Sequence, residues 1–348
     1  MDDVIDWTLA SQVARGVAGL QPSGDPAPFE QLSAAAAESE RLVSAYTGLV
    51  PAAPLPAPEA VGRPEWIEAN LRSLGGVLDP VAGRLGSRLG PVGGATGALL
   101  AVEAGAISGF LAGRVLGQYE FAVLEPDSPP RLLFVAPNLG HAVKTLDADA
   151  EQLLRWVALH ETTHALQFGG VPWLREHLAG LVREMLGALD VDPRGLLRIP
   201  NAADLRSLLD RVREDGLAFL ALGPERRPLL EAAQAFMALL EGYAEHVMDH
   251  VGADLLEDLD AMRAAMDRRR HERSGLLRVV EKLIGFDLKL RQYQQGKQFC
   301  DAVVARGGIS ALNRAWAGPE SLPGFVELSD PTGWLARTER LGLGRGAA

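Results

Sequence analysis

His160, Glu161 and His164 are residues of the right type, at the right spacing, to do chemistry at a metal ion. On an α-helix, positions four apart share a face, so the two imidazoles can hold one ion between them. Glu161 is turned by about 100° from His160, out of line as a ligand but within reach of a water beside the ion. This HExxH pattern suits metal-assisted hydrolysis, with Zn2+ as the ion and Glu161 as general base. Zinc makes water nucleophilic near neutral pH and polarises a carbonyl, while Glu161 moves the water proton to a leaving amine. The bland alternative is chance spacing of two histidines on one helix face.

A catalytic zinc takes three protein ligands and keeps one position for water. Gly170 stands where an extended histidine motif would place its next ligand, so the third comes from elsewhere. The best stretch is Leu240-Glu-Gly-Tyr-Ala-Glu-His246, read as helix. On a helical wheel Glu241 borders the apolar stripe of Phe236, Met237, Leu240, Ala244, Val247, Met248 and Val251, whereas His246 and His250 point away from it. A site sheltered at the core's edge favours Glu241, with His246, His177, Asp249 or no third ligand as the alternatives. Gly242 costs helix stability but lets another helix pass close beside it. Glu245, one turn beyond Glu241, is placed to accept a proton from the far nitrogen of a ligand imidazole; otherwise it is an exposed helix charge. Tyr243, His246, Tyr293 and Arg114 are candidates to stabilise an oxyanion.

The rest of the chain must position these groups. Its 348 residues suffice for a substantial core, and its net charge of -11 disfavours nucleic acid or an anionic membrane as partner. Cys300 is the only cysteine, which excludes an internal disulfide and a zinc–thiolate cluster. The acidic start, Met1-Asp-Asp-Val-Ile-Asp6, lacks a signal-peptide pattern, so a reducing cytoplasmic location is expected. The most apolar stretch, Val92 to Gly117, is interrupted by Glu103 and Arg114, and its longest uncharged run, Leu89 to Val102, is too short to span a bilayer.

Helices are expected over Ser33–Tyr46 and Pro64–Leu78, with a stiff proline-rich connector over Pro51–Pro58. Gly93, Gly97, Ala101, Gly105, Gly109, Gly113 and Gly117 place a small residue at every fourth position. On one helix they form a bare ridge that tertiary packing must hold, which places that helix at the protein's centre. Tyr119–Leu124 and Arg131–Ala136 read as a β-hairpin or two neighbouring strands. The HExxH helix is capped by Asp147 or Asp149 and stopped by Gly169, Gly170 and Pro172. Helices then follow at Trp173–Leu189, Ala202–Leu222, Pro224–Val251, Leu255–Arg270, Ser274–Ile284 and Asp287–Ala305. Leu133–Asn138 has two readings, a rim strand that pairs with an extended peptide, or plain core.

The set His160, Glu161, His164, Glu241 and Glu245 resembles the glutamate-zincin branch of metallopeptidases, although Glu241 follows His164 after a far longer interval than in thermolysin-like enzymes. More broadly, the chain is similar to a bacterial family of zincin-like metallopeptidases, some of whose members are labelled as associated with coenzyme F420 biosynthesis. The likeness rests on Phe110–Tyr119, Leu133–Asn138, His160–Phe168, Glu241–Asp249 and Leu290–Gly296. It implies a mainly α fold with a small β-hairpin or sheet, in which a zincin-like core joins an HExxH helix to a glutamate-bearing helix. It also implies Zn2+ and a peptide or protein substrate, with a helical region over 1–118, the zincin-like region over 119–340 and a tail over 341–348, together one integrated unit. Nothing in the sequence is built to hold a flavin-like ring. The competing functional class is a zinc-containing scaffold without turnover, against which the retention of Glu161 argues.

Overall fold

The computed structural model describes residues 4–24, 31–89, 93–125, 127–188, 226–271 and 286–342. The helices expected over 202–222 and 274–284, and the tail beyond 342, lie outside the described residues. Among the described residues the fold is mainly helical with one three-stranded mixed sheet. The chain divides into two compact units, one drawn from residues 1–42, 50–169 and 252–269, the other from 43–49, 170–251 and 270–348. No described helix is long and apolar enough to cross a membrane.

The first unit begins with α1 (Trp7–Gly19), whose N-terminus is capped by Asp6 through the Leu9 amide. After α2 (Leu32–Thr47) and β1 (Pro58–Val61) come α3 (Arg63–Leu89) and α4 (Gly93–Ala112). The helix expected to end at Leu78 continues through Pro80, which removes a single backbone donor without ending it.

The small-residue ridge of α4 lies against α1 and the residues before it. A Cβ at Gly97, Gly105 or Gly109 would fall 1.8, 2.4 and 2.3 Å from the carbonyl oxygens of Val4, Ala10 and Ala14. α1 answers with its own small buried residues, Ala10, Ala14 and Ala18. Two expectations fail here. The ridge does not run to Gly117 on one helix, because α4 ends at Ala112. Side chains take carbonyls of its last turn: Gln21 Nε2 donates to Gly109 and Phe110, and buried Asn138 donates to Ala112 and, beyond the helix, to Val115. Nor is α4 central, since Leu99, Val102, Ile107 and Leu111 on its other side are exposed.

The sheet has the order β1-β3-β2, with β2 at Gly117–Glu120 and β3 at Arg131–Val135. β2 and β3 pair antiparallel, as the two-strand reading expects. β1 is an addition, pairing parallel to β3 from Pro58↔Leu132 to Val61↔Val135. β3 is therefore the central strand, with Leu132–Val135 fully buried. Both of its edges are occupied, so it is core and cannot pair with a peptide, and residues 136–138 already belong to α5 (Ala136–Leu146). Val61, Trp66, Ile67, Leu133 and Val135 join Ile5 and the alanines of α1 in one apolar core.

α6 (Ala150–Gly170) carries the HExxH motif. Asp149 is its cap, accepting from the amides of Glu151 and Gln152, while Asp147 instead ends α5 in the left-handed region at φ 50°. Burial surrounds most of α6, from Leu153 and Trp156 to Leu166 and Gln167, so its polar motif is held rigidly. The unit also takes in most of α9 (Leu259–His271).

In the second unit, α7 (Leu174–Ala188) is followed by α8 (Arg227–Leu255), the Glu241 helix, and by α10 (Phe286–Leu312), which breaks from helical geometry at Gly308 with φ 72°. Gly242 does what a costly helix glycine is expected to do. A Cβ there would meet Gly296 of α10 at 2.2 Å, and one at Gly296 would meet the Ala238 carbonyl at 1.9 Å. Short 3-10 turns lead to α11 (Pro331–Arg340), whose Trp334 is sealed against Phe299 and donates to the Ser321 carbonyl.

Candidate metal centre

The two motif imidazoles stand edge to face with centroids 4.7 Å apart. Their Nε2 atoms face each other at 3.2 Å. Two nitrogen ligands about 2.05 Å from a tetrahedral zinc would lie about 3.3 Å apart, so the pair is spaced for one ion. The far nitrogen of His164, Nδ1, is 2.9 Å from Gln167 Oε1. Gln167 is fully buried. With its amide oxygen as acceptor, Nδ1 carries the proton and Nε2 keeps its lone pair for a metal.

One donor atom of Glu241 joins those of His160 and His164, all within 4.8 Å of one another. Each of the three is only partly buried. Two neutral imidazoles and a carboxylate are the donor set of a catalytic zinc. The residues present therefore fit the ion.

Glu161 lies 8% exposed beside β2. Its Oε2 accepts a hydrogen bond from the Tyr119 amide at 2.9 Å. Its Cγ passes so close to Gly117 that a Cβ there would sit 2.7 Å from Glu161 Cγ and 2.7 Å from Val157 Cγ1. The edge strand thus fixes the carboxylate from its backbone side. Gly117, read from sequence as one more step of the helical ridge, serves this close approach instead.

The other histidine and acid candidates are engaged elsewhere. His246 places Nδ1 2.7 Å from Asp301 and Nε2 2.8 Å from the Tyr46 hydroxyl, so both ring nitrogens are occupied. It is also buried, contrary to the wheel argument, because Tyr46 and α10 cover that side of α8. Asp249 pairs with Lys297 at 2.7 Å. His177 packs edge-on to Trp173 and Phe236, and burial holds its pKa below the ordinary histidine value. Glu245 is buried, not an exposed charge.

Two of the oxyanion candidates have structural duties. Tyr243 is fully buried and donates to Asn313 Oδ1, and burial raises its phenol pKa. Arg114 lies over the Phe110 ring and donates to Gln21. The Tyr293 side chain lies outside the described residues. Sequence reasoning missed Gln167, although its place one turn after His164 on the same helix was a usable signal. It also missed the Tyr119 amide and Gly117, whose roles depend on where the strand lies.

Mainly helical architecture, a small mixed sheet and a clustered His-His-Glu triad define a zincin-type protein. Residues 5–335 match the zincin-like metallopeptidase family, and the chain belongs to it. It is similar to a crystal structure from Chloroflexus aurantiacus, provisionally described as a hydrolase with a novel fold. The two share 33% identity and a TM-score of 0.72, over 97% of this chain and 99% of that one. No curated protein matches this chain.

Proposed function

We propose that this protein is a zinc-dependent peptidase in which His160, His164 and Glu241 hold the metal and Glu161 is the general base. The observation that carries the reading is the facing pair of Nε2 atoms at 3.2 Å with a Glu241 donor grouped beside them. When bound, zinc supplies Lewis acidity that makes water nucleophilic near neutral pH and polarises a carbonyl. Gln167 fixes the tautomer of His164, and Glu245 is the carboxylate we assign to steady a ligand imidazole from behind.

Glu161, its Oε2 held by the Tyr119 amide, takes a proton from water. The same carboxyl returns that proton to the departing amine. The burial of Glu161 keeps bulk water from competing for it. Family membership supports a peptide substrate, and nothing in the family match supports the coenzyme F420 label.

The test couples metal content to turnover. Protein stripped with chelator and reloaded should take up about one zinc per chain and cleave an unstructured protein such as casein. Glu161→Gln should keep the zinc and lose cleavage by roughly 10²–10⁴-fold. Zinc uptake near zero, or cleavage unaffected by Glu161→Gln, refutes the proposal. Full zinc uptake with no turnover in either protein favours the scaffold reading.

A further inference from the structure

We infer that Tyr119, Phe121 and Phe168 form the subsite that selects the side chain next to the cleaved bond, and that it takes an aromatic or large apolar residue. The inference rests on the peptidase reading and narrows its substrate class.

The three rings contact one another in every pair. Phe121 and Phe168 have centroids 4.6 Å apart, Tyr119 and Phe121 5.7 Å, and Tyr119 and Phe168 6.2 Å. All three are partly exposed. Phe134, Phe236, Phe299 and Trp334, by contrast, are sealed in the interior. Rings held together at the surface forgo part of their burial, and such a patch marks a place where an apolar group binds.

Its position ties the cluster to the chemistry. Phe168 follows His164 by four residues and Glu161 by seven, so all three side chains leave α6 on one face. Four residues of helix rise about 6 Å, and two residues of an extended peptide span about 6.8 Å. A peptide passing the metal ligands therefore meets the rings with a residue adjoining the reacting bond. Tyr119 links both functions, because its amide holds Glu161 and its ring stacks on Phe168. Alternate side chains of an extended peptide face opposite ways, so the cluster reads one residue and not its neighbour. Tilted rings of this kind accept a further aromatic edge or a branched aliphatic group.

Calorimetric titration of the Glu161→Gln protein, which binds without turnover, tests the inference. The probes are acetyl-Gly-Ala-Ala-Phe-Ala-Ala-Gly-amide and its analogues with Ala or Lys in place of Phe, each titrated with and without added zinc. The Phe peptide should bind at least about tenfold more tightly than the Ala peptide. That ratio should fall towards one in Phe168→Ala and shrink in Phe121→Leu, which keeps an apolar side chain and guards against misfolding. Equal affinities, no measurable binding, a preference for Lys, or a Phe preference that survives both substitutions overturns it. Zinc stoichiometry on the same samples judges the peptidase reading separately, because the Phe-to-Ala ratio is read from binding alone.

Discussion

Gly117→Ala tests whether the sheet edge aligns the general base. Gly117 is not in the left-handed backbone region, so alanine meets no conformational penalty there and the effect is one of contact alone. The added methyl would sit 2.7 Å from Glu161 Cγ and 2.7 Å from Val157 Cγ1, and 3.1 Å from Glu161 Oε1. Carbon atoms prefer about 3.5–4.0 Å, so two contacts overlap by about 1 Å. Either β2 withdraws from α6 or Glu161 turns away, and both lengthen the Tyr119 hydrogen bond that fixes Oε2. Overpacking of this kind costs about 1–3 kcal/mol, which lowers Tm by several degrees. A general base displaced by about 1 Å costs on the order of 10²-fold in rate. The expected result is a kcat/KM near 1% of wild type with zinc content unchanged, since the three atoms nearest the added methyl belong to Glu161 and Val157 and none to a candidate metal ligand. Adding Val157→Ala removes one of the two overlaps and should recover part of the Tm. Full cleavage in a protein whose Tm has fallen, or zinc loss in step with activity, would refute the reasoning.

Three further outcomes follow from single contacts. Gln167→Ala should weaken zinc binding about 10–100-fold in chelator competition, with Gln167→Glu losing less because it keeps an acceptor for His164 Nδ1. Gly296→Ala should destabilise strongly or prevent folding, because its methyl would meet the Ala238 carbonyl at 1.9 Å, whereas Gly16→Ala, with nothing within 4 Å, should raise stability by up to about 1 kcal/mol. Burial alone would raise the Asp301 carboxyl, but hydrogen bonds from His246 and Lys297, with their charges, bring it below its ordinary value. A carboxyl depressed in the folded state contributes stability above its unfolded pKa of about 3.9, and loses it as pH falls through the lower folded value. Urea titrations below about pH 4 should therefore show a shallower acid loss in Asp301→Asn than in wild type.

How much of this was legible in the sequence depended on the range of the forces involved. The histidine pair follows from helical periodicity alone, and α6 delivers it because Asp149 and Gly170 bound a continuous helix. Glu241 and Gly242 were legible for the same reason, since a wheel shows which positions border an apolar stripe and which lack a side chain. The wheel failed at His246, two of whose partners, Tyr46 and Asp301, come from distant stretches of chain. An amphipathic pattern reveals the apolar side of a helix, but not a second side buried by polar contacts.

The small-residue stripe shows the same limit more sharply. One pattern from Gly93 to Gly117 reads as one helix, yet the structure uses its members for different ends. Gly97, Gly105 and Gly109 admit a neighbouring backbone, Gly113 meets the Gln21 side chain, and Gly117 admits Glu161. A glycine declares only that something comes close; the chain's path decides what does. β1 was silent because four residues starting on the last proline of a proline-rich run carry too little pattern to announce a strand, and only β3 gives them a partner. That unannounced strand turns β3 into core and leaves β2 at the sheet's edge, where the Tyr119 amide reaches Glu161. The candidate metal ligands could therefore be chosen from local periodicity, while the hold on Glu161 depends on the order of three short strands, which no local pattern specifies.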